Sequence, residues 1–173
     1  GDLKEVTSKD FNKVTIISIS LIALTLFATF KSLTIPIILV FVIQLGIWIN
    51  LSIPYFLGSE LNFIAFIVIG AIQLGATVDY AILLTSRYRE NLEAKTPHRA
   101  MERAIAQTAP SVLTSALILM AGTFSVSLIT TIRSASELTM LIGRGAIISL
   151  LLVYMLLPAL LLFSKPIEKT TIG

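Results

Sequence analysis

The sequence predicts an all-α fold, a polytopic membrane helix bundle of five transmembrane helices with one amphipathic helix on the cytoplasmic membrane surface. Three observations predict it. Apolar residues make up 55% of the 173 and charged ones 13%, with a mean hydropathy of +0.92, which is the composition of an integral membrane protein. The apolar residues fall into five stretches, each long enough to cross most or all of a hydrocarbon core of about 30 Å. The charged residues collect between and beyond these stretches. With no cysteine there is no disulfide framework, thiolate metal site or thiol nucleophile. His98 is the one histidine, and a lone imidazole on a charged segment is a solvated side chain rather than a metal ligand. No cofactor or metal is expected. The net charge of +3 is small and follows from topology, so it implies no nucleic-acid partner.

Residues 1–13 are polar, with Asp2, Lys4, Glu5, Lys9, Asp10 and Lys13. They lack the short apolar core and small-residue cleavage site of a signal peptide. The expectation is an extracytoplasmic remnant of something preceding it, with Asp10 or Asn12 capping the first helix. Residues 14–30 are the first span. The second, 35–57, opens at Pro36, which a first helical turn tolerates because its amide donors are spare. A link this short makes a helical hairpin with Lys31 at its tip. Trp48 and Tyr55 fall near the other end, where interfacial aromatics belong.

The third span, 61–86, departs from a plain lipid anchor by carrying Gln73, Thr77, Asp79 and Tyr80 among small residues. At about 100° per residue, Gly70, Gln73, Thr77, Tyr80 and Leu84 share one face, and Ile72, Gly75, Asp79, Leu83 and Ser86 an adjoining one. Asp79 precedes Arg87 by eight residues, or ~12 Å of helix, which sets it inside the hydrocarbon. An ionised Asp at a membrane centre costs at least ~2.5–3.5 kcal/mol, so it must face protein or water. It marks an ion or proton path, or else is structural glue hydrogen-bonded to neighbouring helices.

Residues 87–109 form the long polar link. Thr96-Pro97 has the form of a helix cap and first turn. Beyond it Ala100, Met101, Ala104, Ile105 and Thr108 lie opposite His98, Arg99, Glu102 and Arg103, the pattern of an amphipathic helix lying on the membrane. It is either a mechanical connector between spans three and four or a solvated surface helix. The fourth span, 111–131, carries Thr114, Ser115, Gly122, Thr123, Ser125 and Ser127. So many hydroxyls suggest a helix facing protein or a hydrated seam, with 115–122 at the depth of Asp79. The last span is 138–163, and 164–173 is a short tail.

Charge orients the bundle. Lys31, the 87–103 segment and the tail hold eight of the thirteen basic residues, which makes that side cytoplasmic under the positive-inside rule and leaves residue 1 outside. Arg144, in Gly143-Arg144-Gly145, is the second intramembrane charge. Depth separates it from Asp79 by roughly 10–15 Å. It is expected to snorkel to the outer interface or bind a polar group of an exported domain, with Glu60 and Glu137 as candidate partners, in preference to a part in proton coupling.

Gly75-Ala76-Thr77-Val78-Asp79-Tyr80-Ala81-Ile82-Leu83, the exit Ser86-Arg87-Tyr88-Arg89-Glu90 and the closing Leu157-Pro158-Ala159-Leu160-Leu161 resemble the membrane half of the resistance-nodulation-division superfamily, in its MmpL-like branch of lipid and drug exporters. The resemblance covers nearly the whole chain. It implies half of a membrane domain of the fold that sterol-sensing domains share. In that family a half has one span, an exported porter domain and five further spans. The Gly143-Arg144-Gly145 element and the Lys165-Pro166 ending resemble the carboxy-terminal half of Gram-positive members, which corresponds to spans eight to twelve.

The resemblance implies proton antiport and efflux across the plasma membrane of a Gram-positive bacterium. Asp79 and Tyr80 would relay protons, the coupling ion, where the two halves meet, with Tyr80 bonded to the opposing carboxylate. Gln73, Thr77 and Ser115 are candidates to line the relay. The implied partners are the bilayer, porter domains, a hydrophobic or lipid-like substrate, and the missing amino-terminal half or a second copy, because transporters with repeats rock one against the other. Two other functions stay open. One is a five-span module that binds lipid or protein in a groove bordered by spans one to three, without transport. The other, a membrane enzyme using Asp79 as acid or base, lacks the second carboxylate, histidine cluster or metal-ligand spacing that such chemistry uses.

Overall fold

The computed structural model describes the backbone of residues 2–58 and 63–171. The described residues are helical apart from short turns: α1 (Asp2–Phe30), α2 (Thr34–Phe56), α3 (Phe63–Leu92), α4 (Pro97–Ile129), α5 (Arg133–Leu151) and α6 (Leu157–Thr171). A single π-helical turn, Leu152–Leu156, joins α5 to α6, so the two make one rod. Five helices are long and apolar enough to span a membrane.

Three boundaries differ from those expected. The first helix does not start at a cap on Asp10 or Asn12; it is helical from Asp2. Nothing in that segment breaks a helix, since it holds neither proline nor glycine. The amphipathic link and the fourth span are one uninterrupted helix, α4, which runs through Pro110. Its start is where Thr96-Pro97 predicts, with Thr96 extended at ψ 155° and Pro97 in the first turn, although the Thr96 side chain makes no capping bond. The fifth apolar helix begins at Arg133 and is helical to Thr171, including most of the expected tail.

α2 forms the hub. Its buried residues Ile35, Pro36, Leu39, Val42, Ile43, Gly46, Ile47, Asn50 and Pro54 repeat every three to four positions, so one stripe faces the bundle along its whole length. In its apolar stretch 44% of residues are buried, against 11% for α1 and α4. Those two therefore present broad faces outward. The core joins Leu26, Leu39, Val42, Tyr80, Leu84, Met101, Val112, Val153 and Leu157, drawing on all five spans.

In the rod of α5 and α6, Gly145, Ser149, Val153, Leu157 and Leu161 are buried at strict intervals of four. In a uniform α-helix each such step drifts about 40°, which would carry the stripe off the core. The wide turn at Leu152–Leu156 absorbs part of this drift.

At the α1–α2 turn Lys31 takes a left-handed conformation, φ 49°. Arg89 closes that turn from α3: its Nη1 donates to the Phe30 carbonyl at 2.7 Å, and its guanidinium lies 5.8 Å from the Phe30 ring centre. Lys31 and the α3–α4 junction thus share one end of the bundle.

Candidate functional site

The two faces of α3 separate in the structure. Gln73, Thr77, Tyr80 and Leu84 are buried, whereas Ile72, Gly75 and Asp79 are exposed, with Leu83 and Ser86 partly so. Asp79 makes no hydrogen bond or ion pair among the described residues. Its carboxylate stands on an open apolar face of the bundle. A Cβ on Gly75, one turn away, would meet nothing within 4 Å, so that face is flat beside the carboxylate.

Tyr80, next in sequence, turns inward. It is 6% exposed and belongs to the core, with Tyr154 packed against the same cluster. The Tyr154 hydroxyl donates to Thr108 Oγ1 at 3.0 Å, and Thr108 Oγ1 donates to the Ala104 carbonyl at 2.8 Å. Ser115 is exposed on α4 and makes no hydrogen bond among the described residues. Counting rise from the α3–α4 turn, Asp79 lies about 20 Å along α3, and Ser115 about 27 Å along α4. Ser111, about 21 Å along, is the hydroxyl level with Asp79.

Gln73 and Thr77 line a polar seam inside the half. The Thr77 and Ser149 hydroxyls are hydrogen-bonded to each other, and Thr77 Oγ1 also donates to the Gln73 carbonyl at 2.6 Å. Asn50 is fully buried and serves three partners. Its Nδ2 donates to Gln73 Oε1 at 2.8 Å and to the Leu141 carbonyl at 3.1 Å. Its Oδ1 and carbonyl accept Arg144 Nε at 3.0 Å and Nη2 at 3.1 Å.

Arg144 is therefore held sideways inside the bundle by Asn50, not turned toward an acid at the interface. Glu137 is occupied by Arg133, at 2.9 Å, and Glu60 lies outside the described residues. Arg144 follows Arg133 by eleven residues, about 16 Å of helix, too far for simple snorkelling. Its partner Asn50, on α2, bonds Gln73, six residues or about 9 Å of rise before Asp79, and the two charges do not pair.

The glycines flanking Arg144 are spacing devices. A Cβ on Gly145 would stand 2.7 Å from Asn50 Nδ2 and 2.9 Å from Gln73 Oε1; one on Gly143 would stand 2.6 Å from Thr123 Oγ1. Sequence reasoning missed Asn50, Ser149, Thr108 and Tyr154. Asn50 had a signal, since it is the polar member of the stripe that runs from Ile35 to Pro54.

Between α1, α2 and α3 lies a mainly apolar groove of about 460 Å³, lined by Ser18, Gln44, Ile47, Trp48, Phe66 and Leu74 among others. It occupies the place where a lipid-binding reading puts its site.

A family model described as the MMPL family matches residues 1–166. ActII-3 of Streptomyces coelicolor, whose name describes a membrane protein, is 30% identical over 160 residues, covering 90% of this chain and 22% of that protein. YdgH of Bacillus subtilis, also named as a membrane protein, is 26% identical over 175 residues, covering 93% of this chain and 19% of that protein. The chain spans about a fifth of the length of these relatives.

Proposed function

Because this chain belongs to the MMPL family, we propose that it is the membrane part of a proton-motive-force-driven exporter of lipids or hydrophobic, drug-like compounds, with Asp79 as the proton carrier. The observation that carries this is the open position of Asp79: a carboxylate without a partner among the described residues, on the outward face of an apolar helix. Against hydrocarbon it would cost at least ~2.5–3.5 kcal/mol. A second five-span unit covering that face, either a partner half or another copy of this chain, removes the penalty. Protonating the carboxyl removes its charge and shifts how the two units pack, and this is the two-state step that a proton gradient can drive.

The end of the bundle that joins Lys31 to Arg87, Arg89, Arg99 and Arg103 is the cytoplasmic one in this reading, and both relatives come from bacteria. The plasma membrane of a Gram-positive bacterium follows as the location. Porter domains outside the membrane would carry the choice of compound.

The test is export driven by a proton gradient, measured in vesicles with the intact protein that contains this chain, comparing wild type with Asp79→Asn at matched abundance and folding. Loss of export supports Asp79 as carrier. Undiminished gradient-driven export by the Asn variant overturns it.

The groove between α1, α2 and α3 favours a second reading, a lipid-binding module without transport. Lipid that copurifies and is displaced by Leu74→Trp, with no response to pH or membrane potential, would favour it.

A further inference from the structure

We propose that Tyr154 and Thr108 form an intra-half segment of the proton path, entered at Tyr80 and leading toward the α3–α4 end of the bundle. This rests on the reading of Asp79 as the proton carrier and adds the route by which the proton leaves it.

Three observations converge. Tyr80 is buried inside its own half, and its hydroxyl has no hydrogen-bond partner among the described residues. Tyr154 shares its cluster and lies within electrostatic reach of it. The hydroxyl of Tyr154 in turn bonds Thr108 on α4. Tyr154 also sits in the one π-helical turn of the described residues, and wide turns of this kind concentrate at functional positions because they re-aim a side chain.

The seam continues beyond Thr108. Thr85 is fully buried and its Oγ1 has no partner among the described residues; Tyr88 is buried one turn further along α3. By rise, Tyr80, Thr85 and Tyr88 lie about 18, 10 and 6 Å from the end of α3 at Leu92. Hydroxyl groups thus step down the inner face of α3 toward water. Buried hydroxyls without partners among the described residues, here those of Tyr80 and Thr85, are where structural water binds.

The step is a proton transfer and balances as one. The Asp79 carboxyl gives up its proton and becomes a carboxylate; each ordered water accepts one proton and passes on another; one proton emerges at the aqueous end. Tyr80, Tyr154 and Thr108 stay neutral and hold the waters in line, so they are positioning residues. Asp79 alone changes charge.

The test measures proton flux into vesicles containing the intact protein and a trapped pH-sensitive dye, under an imposed pH gradient. Tyr154→Phe and Thr108→Val are each expected to slow the flux about fivefold, the equivalent of one lost hydrogen bond, with the helical fold retained by circular dichroism. Thr108→Ser, which keeps the hydroxyl, is expected to restore it. Wild-type flux in Tyr154→Phe and Thr108→Val overturns the path, as does equal slowing by Thr108→Ser and Thr108→Val, which signals packing alone. Undiminished flux in Asp79→Asn is a separate outcome and overturns the underlying carrier assignment.

Discussion

Asp79 and Tyr80 are neighbours in the chain but face different surroundings, the carboxylate on the open side of α3 and the phenol, 6% exposed, in the core. One residue is about 100° of helix, enough to separate a group on the open face from one held in the core. Because the chain has no cysteine, this difference can be measured directly. In the five-span chain in detergent, Asp79→Cys should react with a small thiol reagent roughly tenfold faster than Tyr80→Cys, since reactivity follows access. In the intact assembly the advantage should disappear. Equal rates in the isolated chain would mean that α3 is rotated from the position described.

The Asn50–Arg144 bond should behave as a compensated pair. Asn50→Leu removes the Oδ1 that accepts Arg144 Nε while the backbone carbonyl still accepts Nη2, and losing this one bond to a charged group is expected to cost about 1.5–3 kcal/mol. Replacing both, Asn50→Leu with Arg144→Met, should recover most of that loss. Denaturant unfolding of the four variants in detergent measures the coupling. An additive result would show that this bond adds nothing to stability.

Gly145 and Gly75 should respond oppositely to the same added methyl group. Gly145→Ala drives a Cβ to 2.7 Å from Asn50 Nδ2, and overpacking of this kind costs about 1–3 kcal/mol. Gly75→Ala meets nothing within 4 Å and should leave the stability of the chain within about 0.5 kcal/mol. In the intact assembly Gly75→Leu should weaken association of the two units while the fold of each persists. Cross-linking yield, set beside the melting temperature, separates the two effects.

Thr77 and Ser149 form one hydrogen bond and should be worth one. Thr77→Val and Ser149→Ala are each expected to cost about 0.6–1.7 kcal/mol. The double variant should cost little more than either single one. Full additivity in the same unfolding assay would mean that the bond between the two hydroxyls contributes nothing, leaving Thr77 only its bond to the Gln73 carbonyl.

Much of this was legible in the sequence, for a physical reason. Hydrophobic length marks spans without ambiguity, and a 3.6-residue period sorts α3 into a face bearing Gln73 and Thr77 and a face bearing Gly75 and Asp79 before any neighbour is known. Tyr80 fell on the first of these faces in the sequence, yet its expected partner lay across the second, and the structure keeps it with the first. The Arg144–Asn50 bond was not legible because the two partners stand 94 positions apart, and a neutral amide on another helix leaves no charge pattern to detect. The helical start at Asp2 and the continuity of α4 escaped because polarity ends a membrane span without ending a helix.

That continuity has a mechanical consequence. The 33 residues of α4 extend about 50 Å, whereas the hydrocarbon they cross is about 30 Å thick. The surplus runs on past the hydrocarbon with no joint at the membrane surface, turning His98, Arg99 and Arg103 outward while Ala100, Met101 and Ala104 stay buried in the core. A few degrees of tilt within the bilayer is therefore carried, undiminished in angle, into the helices packed against that extension.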